Sequence, residues 1–411
     1  ADVLTFLEVQ EADGKVQHVR PFWVFNGLAV SASAETLLAL AARPDVHIVR
    51  EDRWRRWVDF PSEPERQIEA MEGVTEWNIA RIRADQAWDA LGLDGSGVTV
   101  AVMDTGVDWQ HPALQAQYRG SKPGGLAVHA GNWRCTTDEG YLYPVDGNGH
   151  GTHVAGTAVG HEDATGTAVG VAPGARWIAV KMLNDAGYGY DSWIHAAFEW
   201  LMAPDGDPAL APDIVNGSWG SRNDEDEAFR ADLQALRAAG IVPVFSAGNE
   251  GPYGSSLRSP ASYPEAIAVG ATDDLDQAAD FSSRGPSPWD EVKPEVAAPG
   301  VLIRSTLPGG TYGSKQGTSM AAPHVAGLIA IMLQADPTLA VAEIEEILSS
   351  SAVPLGETIP NNTTGWGRVD AYEAAAVASS VGYVVGDITR HPDHEPLPTA
   401  RVTVYDHVGG R

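Results

Sequence analysis

The chain has 411 residues, 44% of them apolar, and a formal net charge of −28 at pH 7. That size and apolar share suit one large α/β domain with smaller attachments, and the acidic excess sets nucleic acid and anionic membranes aside as partners. No stretch reads as a membrane span, and the single cysteine, Cys135, leaves no intrachain disulfide.

In chain order, residues 3–9 read as a helix closing near Gly14, and 19–32 as two strands about Asn26-Gly27. A second helix falls at 34–40 and a last strand at 46–52. Residues 54–73 have the charge and proline of a linker, with Arg53, Arg55, Arg56 and Arg66 expected to be exposed. Strands and helices then alternate: 98–103, 150–160, 177–182, 192–202, 213–216, 227–239, 241–245 and 266–270. Alternation of this kind implies a mainly parallel sheet covered on both faces. Cys135 falls in a region, 131–145, that reads as loop. An apolar helix follows at 321–333 and an amphipathic one at 341–350. Residues 383–387 and 400–405 read as strands flanking a Pro-rich loop; a lone hairpin is marginal in water, so the chain is expected to continue past Arg411. No charged-then-apolar leader opens the sequence at Ala1-Asp2-Val3.

Three short segments carry chemistry. The run Gly317-Thr318-Ser319-Met320-Ala321-Ala322-Pro323-His324 sets a hydroxyl where an apolar helix begins, beside free N–H groups and the positive end of the dipole. Such a serine suits nucleophilic attack if a base is near, and alone it reads equally as an N-cap. Asp104-Thr105-Gly106 ends a buried strand, the sheet edge where α/β sites form; alone, Asp104 is also an ordinary turn residue. In Asp146-Gly147-Asn148-Gly149-His150-Gly151-Thr152-His153, glycines lead into a small-residue helix with His150 at its mouth. A lone histidine is more often structural; together the three segments are a rare coincidence.

Asp-Thr-Gly, His-Gly-Thr-His-Val-Ala-Gly and Gly-Thr-Ser-Met-Ala-Ala-Pro-His resemble the signature segments of subtilisin-like serine proteases, in that family's order Asp, His, Ser. The resemblance covers residues 77–376. Ala172-Pro173-Gly174-Ala175, Asn216-Gly217-Ser218-Trp219-Gly220 and Phe281-Ser282-Ser283-Arg284-Gly285-Pro286 are most similar to its bacillopeptidase F-like branch. It implies a three-layer α/β fold with a mainly parallel central sheet. The division expected is an N-terminally incomplete α+β propeptide (1–58), a processing linker (59–76), a catalytic domain (77–378) and the start of a C-terminal β-sandwich (381–411).

The same resemblance implies roles. Ser319 attacks the scissile carbonyl, His150 moves the proton and Asp104 orients the imidazole, with His153 structural. Asn249, Gly-flanked after the strand at 241–245, corresponds to the family's oxyanion-hole asparagine, partnered by the Ser319 N–H; unaided, it also reads as a turn residue. Ser218, Trp219 and Gly220, with Gly248, align with the substrate edge of the cleft, Trp219 being either a pocket wall or a core residue. The far wall of the first specificity pocket falls in 251–263, where spacing departs from that of relatives.

No cofactor is implied for catalysis. Structural calcium is an expectation without assigned ligands: Ala113 stands where many relatives carry a ligating carboxylate, and Asp205/Asp207, Asp224–Glu227 and Asp273–Asp276 are acidic loops. The implied protein is a secreted endopeptidase acting on proteins or peptides, made as a precursor that its own propeptide inhibits. Its charge reads as solubility or, more sharply, as a preference for basic substrates. A rival reading is a catalytically silent binding or adhesion protein, which predicts loss of a site residue. An esterase needs a Gly-x-Ser-x-Gly elbow and the order Ser, Asp, His, neither of which is present.

Overall fold

Strand Thr99–Asp104 is buried almost throughout and alternates its side chains between two cores, Val100 and Val102 on one face and Ala101 and Met103 on the other. Only a strand covered on both sides is apolar at every position. The computed structural model describes residues 2–59, 75–162 and 165–380, with the backbone of 66–67, 389–390 and 395–396. Seven parallel strands lie in the order Val296–Pro299, Ile267–Thr272, Val242–Ser246, Ile214–Gly217, Thr99–Asp104, Arg176–Lys181 and Trp133–Cys135. Helices His150–Val159 and Thr318–Ala335 cover one face; Asp191–Met202 and Arg230–Ala238 cover the other. This is the expected three-layer fold. Cys135 lies on the edge strand rather than in a loop, its thiol beside Thr137.

Helix Thr318–Ala335 is long and apolar enough to cross a membrane, against the expectation that no stretch is, but 89% of it is buried inside the protein. Its i→i−4 hydrogen-bond ladder is interrupted at Pro323, which has no N–H to give the Ser319 carbonyl. Ser218 Oγ donates to that carbonyl instead, at 2.9 Å. The proline therefore ties the helix mouth to the neighbouring strand end.

The N-terminal region folds as helix Val3–Ala12, hairpin Val16–Phe22/Gly27–Ala32 and helix Ala34–Ala41, close to expectation. Asp2 and Ser33 cap the two helices, accepting from Thr5 N and Thr36 N. Leu7, Val16 and Leu40 form its small core. The last strand is not at 46–52. It is Trp54–Arg56, paired antiparallel with Tyr188–Tyr190, because that free edge rather than local propensity decides where pairing starts. Arg53 and Arg55 are not exposed linker residues either. Both reach Asp191 and Asp226 at 2.7–3.0 Å, and Trp57 beside them is fully buried.

The chain divides into two units, Ala1–Ser379 and Ser380–Arg411. In the second, residues 389–390 pair with 395–396; the strands expected at 383–387 and 400–405 lie outside the described residues.

Candidate active site

Asp104 closes its strand at the carboxyl edge of the sheet, fully buried. Its Oδ1 accepts from Thr105 N and from His150 Nδ1, both at 2.7 Å. A carboxylate can only accept, so Nδ1 carries the proton and Nε2 is left as the base. The His150 helix starts after Gly149 in the left-handed region (φ 84°). Gly151 must lack a side chain: a Cβ there would lie 2.1 Å from the Gly106 carbonyl and 3.0 Å from Asp104 Cβ.

Two positioning residues had no role assigned from sequence. The Asp146 carboxylate accepts from Asn148 N, Gly149 N, Thr152 N, Thr152 Oγ1 and Thr105 Oγ1, clamping the His150 helix mouth to the residue after Asp104. Lys181, buried, donates to the Thr105 carbonyl at 2.7 Å and to Asp185 at 2.6 Å. Burial alone would lower its pKa, but Asp185 and Glu139 more than offset that and raise it. A carboxylate clamp can be suspected only from glycines around an aspartate; the Lys181 contact has no sequence signal.

The helices carrying His150 and Ser319 pack against each other. Ser319 stands in the first turn of its helix, where N–H groups lack intrahelical acceptors. Its Oγ donates to the Ser218 carbonyl at 3.0 Å. Asn249 Oδ1 is pinned by Thr318 N (2.9 Å) and Thr318 Oγ1 (3.0 Å), which turns Nδ2 outward. Gly248, with φ 114°, makes that turn, and its N–H donates to Thr318 Oγ1 at 3.1 Å. His153, by contrast, donates into the structure from Nε2, toward the Ile303 and Gly313 carbonyls. Burial, with Lys315 and His150 nearby, holds its pKa far below the ordinary value.

The cleft is filled by the chain itself. Beyond the Trp54–Arg56 pairing, Trp57 N donates to the Gly187 carbonyl (2.9 Å) and Gly220 N donates to the Trp57 carbonyl (3.2 Å). Asn249 Nδ2 then donates to the Asp59 carbonyl at 3.2 Å. An extended segment held between two edges in this way has the geometry of peptide recognition by strand addition. Trp219 is a core residue that also serves the cleft: buried, it meets Phe245 and Phe229 and receives Trp57 edge-on at 5.6 Å.

The acidic loops considered for calcium are otherwise engaged. Asp205 accepts from Gly131 N and Trp200 Nε1, Asp226 holds Arg53 and Arg55, and Asp276 holds Arg81 and Arg368. Ala113 packs against Val169 and Tyr312. Among the described residues no three His, Cys, Asp or Glu side chains converge on a metal position.

A buried carboxylate–imidazole pair, a hydroxyl at a helix mouth and an outward-turned amide are the parts of a serine-nucleophile hydrolase. A profile of the subtilase family matches residues 95–367, and the chain belongs to that family of serine endopeptidases. It is 43% identical over 430 residues to bacillopeptidase F of Bacillus subtilis (strain 168), covering 99% of this chain and 29% of that protein. Subtilisin E of the same strain is 37% identical over 85% of this chain and 81% of its own length. M-protease of Shouchella clausii (strain KSM-K16) is 35% identical over 91% and 85%. The chain thus spans under a third of bacillopeptidase F and most of the shorter subtilisins.

Proposed function

We propose that this protein is a secreted serine endopeptidase made as a precursor that processes itself and is inhibited by its own N-terminal segment. The observation that carries the reading is the placement of residues 54–59 as an added strand whose last carbonyl, that of Asp59, accepts from Asn249 Nδ2. In this reading Ser319 Oγ adds to a substrate carbonyl as His150 Nε2 takes its proton. Asn249 Nδ2 and the Ser319 N–H hold the oxyanion, and Asp104 stabilises the imidazolium. His150 then protonates the leaving amine, and water releases the acyl group by the reverse steps. Export is supported by the family and by a strongly acidic chain with one cysteine. The rival reading, a silent binding protein, is disfavoured because Asp104, His150, Asn249 and Ser319 are all present.

The test is maturation in vitro. Wild-type precursor is expected to cut itself within residues 54–74, after Asp59, while Ser319→Ala stays whole with unchanged circular dichroism. A Ser319→Ala protein that matures at the wild-type rate removes the nucleophile assignment.

A further inference from the structure

We infer that the first specificity pocket of this peptidase selects an acidic side chain, aspartate above all, immediately before the bond it cuts, with Arg258 as the selecting residue. The inference rests on the peptidase reading above and goes beyond it by naming the substrate class. Arg258 is almost wholly buried, at 4% side-chain exposure. It lies between the two cleft walls: a Cβ on Gly220 would come within 2.8 Å of Arg258 Cβ, and one on Gly248 within 2.8 Å of its Cγ. The stem therefore fills the slot that the two glycines leave open, and the guanidinium forms its end.

What that end receives is visible in the chain's own segment. Arg258 Nη2 donates to Asp59 Oδ2 at 2.8 Å, and Arg222 Nη2 to the same oxygen at 3.0 Å; Arg56 Nε lies 3.6 Å from Oδ1. Asp59 is the residue whose carbonyl meets Asn249 Nδ2, so carbonyl and side chain report one register. Burial pushes the Asp59 carboxyl pKa up, but Arg258 and Arg222 outweigh it and lower it, keeping the group ionised.

The charges favour such an occupant. Glu250 neutralises one guanidinium, taking Arg258 Nε at 2.6 Å and lying 3.6 Å from Arg222 Nε. Two arginines against one glutamate leave the slot net positive: buried Arg258 is paired with Glu250, while Arg222 reaches in from the surface and is largely exposed. An acidic side chain completes the set. A lysine or arginine adds a like charge, and an aromatic ring meets a slot already filled by the Arg258 stem. The overall acidity of the chain does not extend to this slot, which disfavours a preference for basic substrates here.

The experiment measures kcat/KM of the matured wild-type enzyme on one peptide series varied only at that position: Asp, Glu, Asn, Gln, Phe and Lys. Asp is expected to exceed Asn by about 10²-fold or more, since a polar slot discriminates strongly against a partner that leaves it unpaired. Arg258→Gln should erase the ratio, and Arg222→Ala, an exposed change that spares the core, should narrow it. Equal rates for Asp and Asn, or Phe or Lys cleaved fastest, overturn the pocket assignment and leave the peptidase reading standing. An enzyme that cleaves none of the series and whose Ser319 does not react with a fluorophosphonate overturns both.

Discussion

At the scale of single residues, the site works by pinning one end of a side chain so that the other end is presented. Thr318 holds Asn249 Oδ1, so Nδ2 faces the cleft with no rotameric choice. Asn249→Ala should then lower kcat about 10²–10³-fold with KM little changed, a magnitude taken from the related subtilisin. Steady-state kinetics on a good substrate decide it; a change confined to KM assigns Asn249 to ground-state binding instead. Residues such as Asp104, His150 and Ser319 were legible in the sequence because each sits at an element boundary with its glycines beside it. Arg258 was not: its region departs in spacing from relatives, and nothing local says that its stem runs between Gly220 and Gly248.

At the scale of elements, strands buried on both faces and helices apolar all round declare themselves, which is why the central sheet and the Thr318–Ala335 helix were readable. The strand Trp54–Arg56 was not, because an edge strand takes its register from its partner, here Tyr188–Tyr190. Arg53 and Arg55 misled for the same reason: charged residues look solvated until the facing Asp191 and Asp226 are known.

The helix around Ser319 has a testable acid sensitivity. His324, buried, bonds Met320 O and Asn78, and burial lowers its pKa from 6.5 to about 4. The unfolded chain therefore binds this proton more readily than the folded one. Stability is full above about pH 6.5 and declines as pH falls, the His324 share being spent near pH 4. That share is on the order of 3 kcal/mol. Urea midpoints across pH 7 to 4 should fall less steeply in His324→Gln than in wild type; identical slopes place the proton uptake elsewhere.

At the scale of the molecule, the N-terminal segment engages the catalytic part at several separate points. Phe22 and Phe25 pack on His195, Asp52 accepts from Ser192 N and Oγ at the start of helix Asp191–Met202, and Arg53 and Arg55 reach two buried carboxylates. Trp57 then enters the core beside Trp219. A peptide of residues 1–59 added to matured enzyme should inhibit at micromolar concentration or below, and Trp57→Ala should weaken it by at least tenfold, since an anchoring aromatic carries much of such an interface. If the wild-type peptide neither binds nor inhibits, residues 1–59 are an accessory domain.

The burial of Trp57 also gives the molecule a built-in optical clock. In this chain its indole is shut away from solvent, edge-on to Trp219 and under the Arg55 guanidinium, with its N–H on the Gly189 carbonyl. The proposed departure of the segment would transfer that chromophore into water and leave Trp219 without its tryptophan neighbour. Emission should shift to the red, and the near-ultraviolet circular dichroism of the coupled pair should vanish, at the moment of release rather than of bond cleavage. If the chain matures as proposed, the delay between bond cleavage and liberation of activity is readable without any added label.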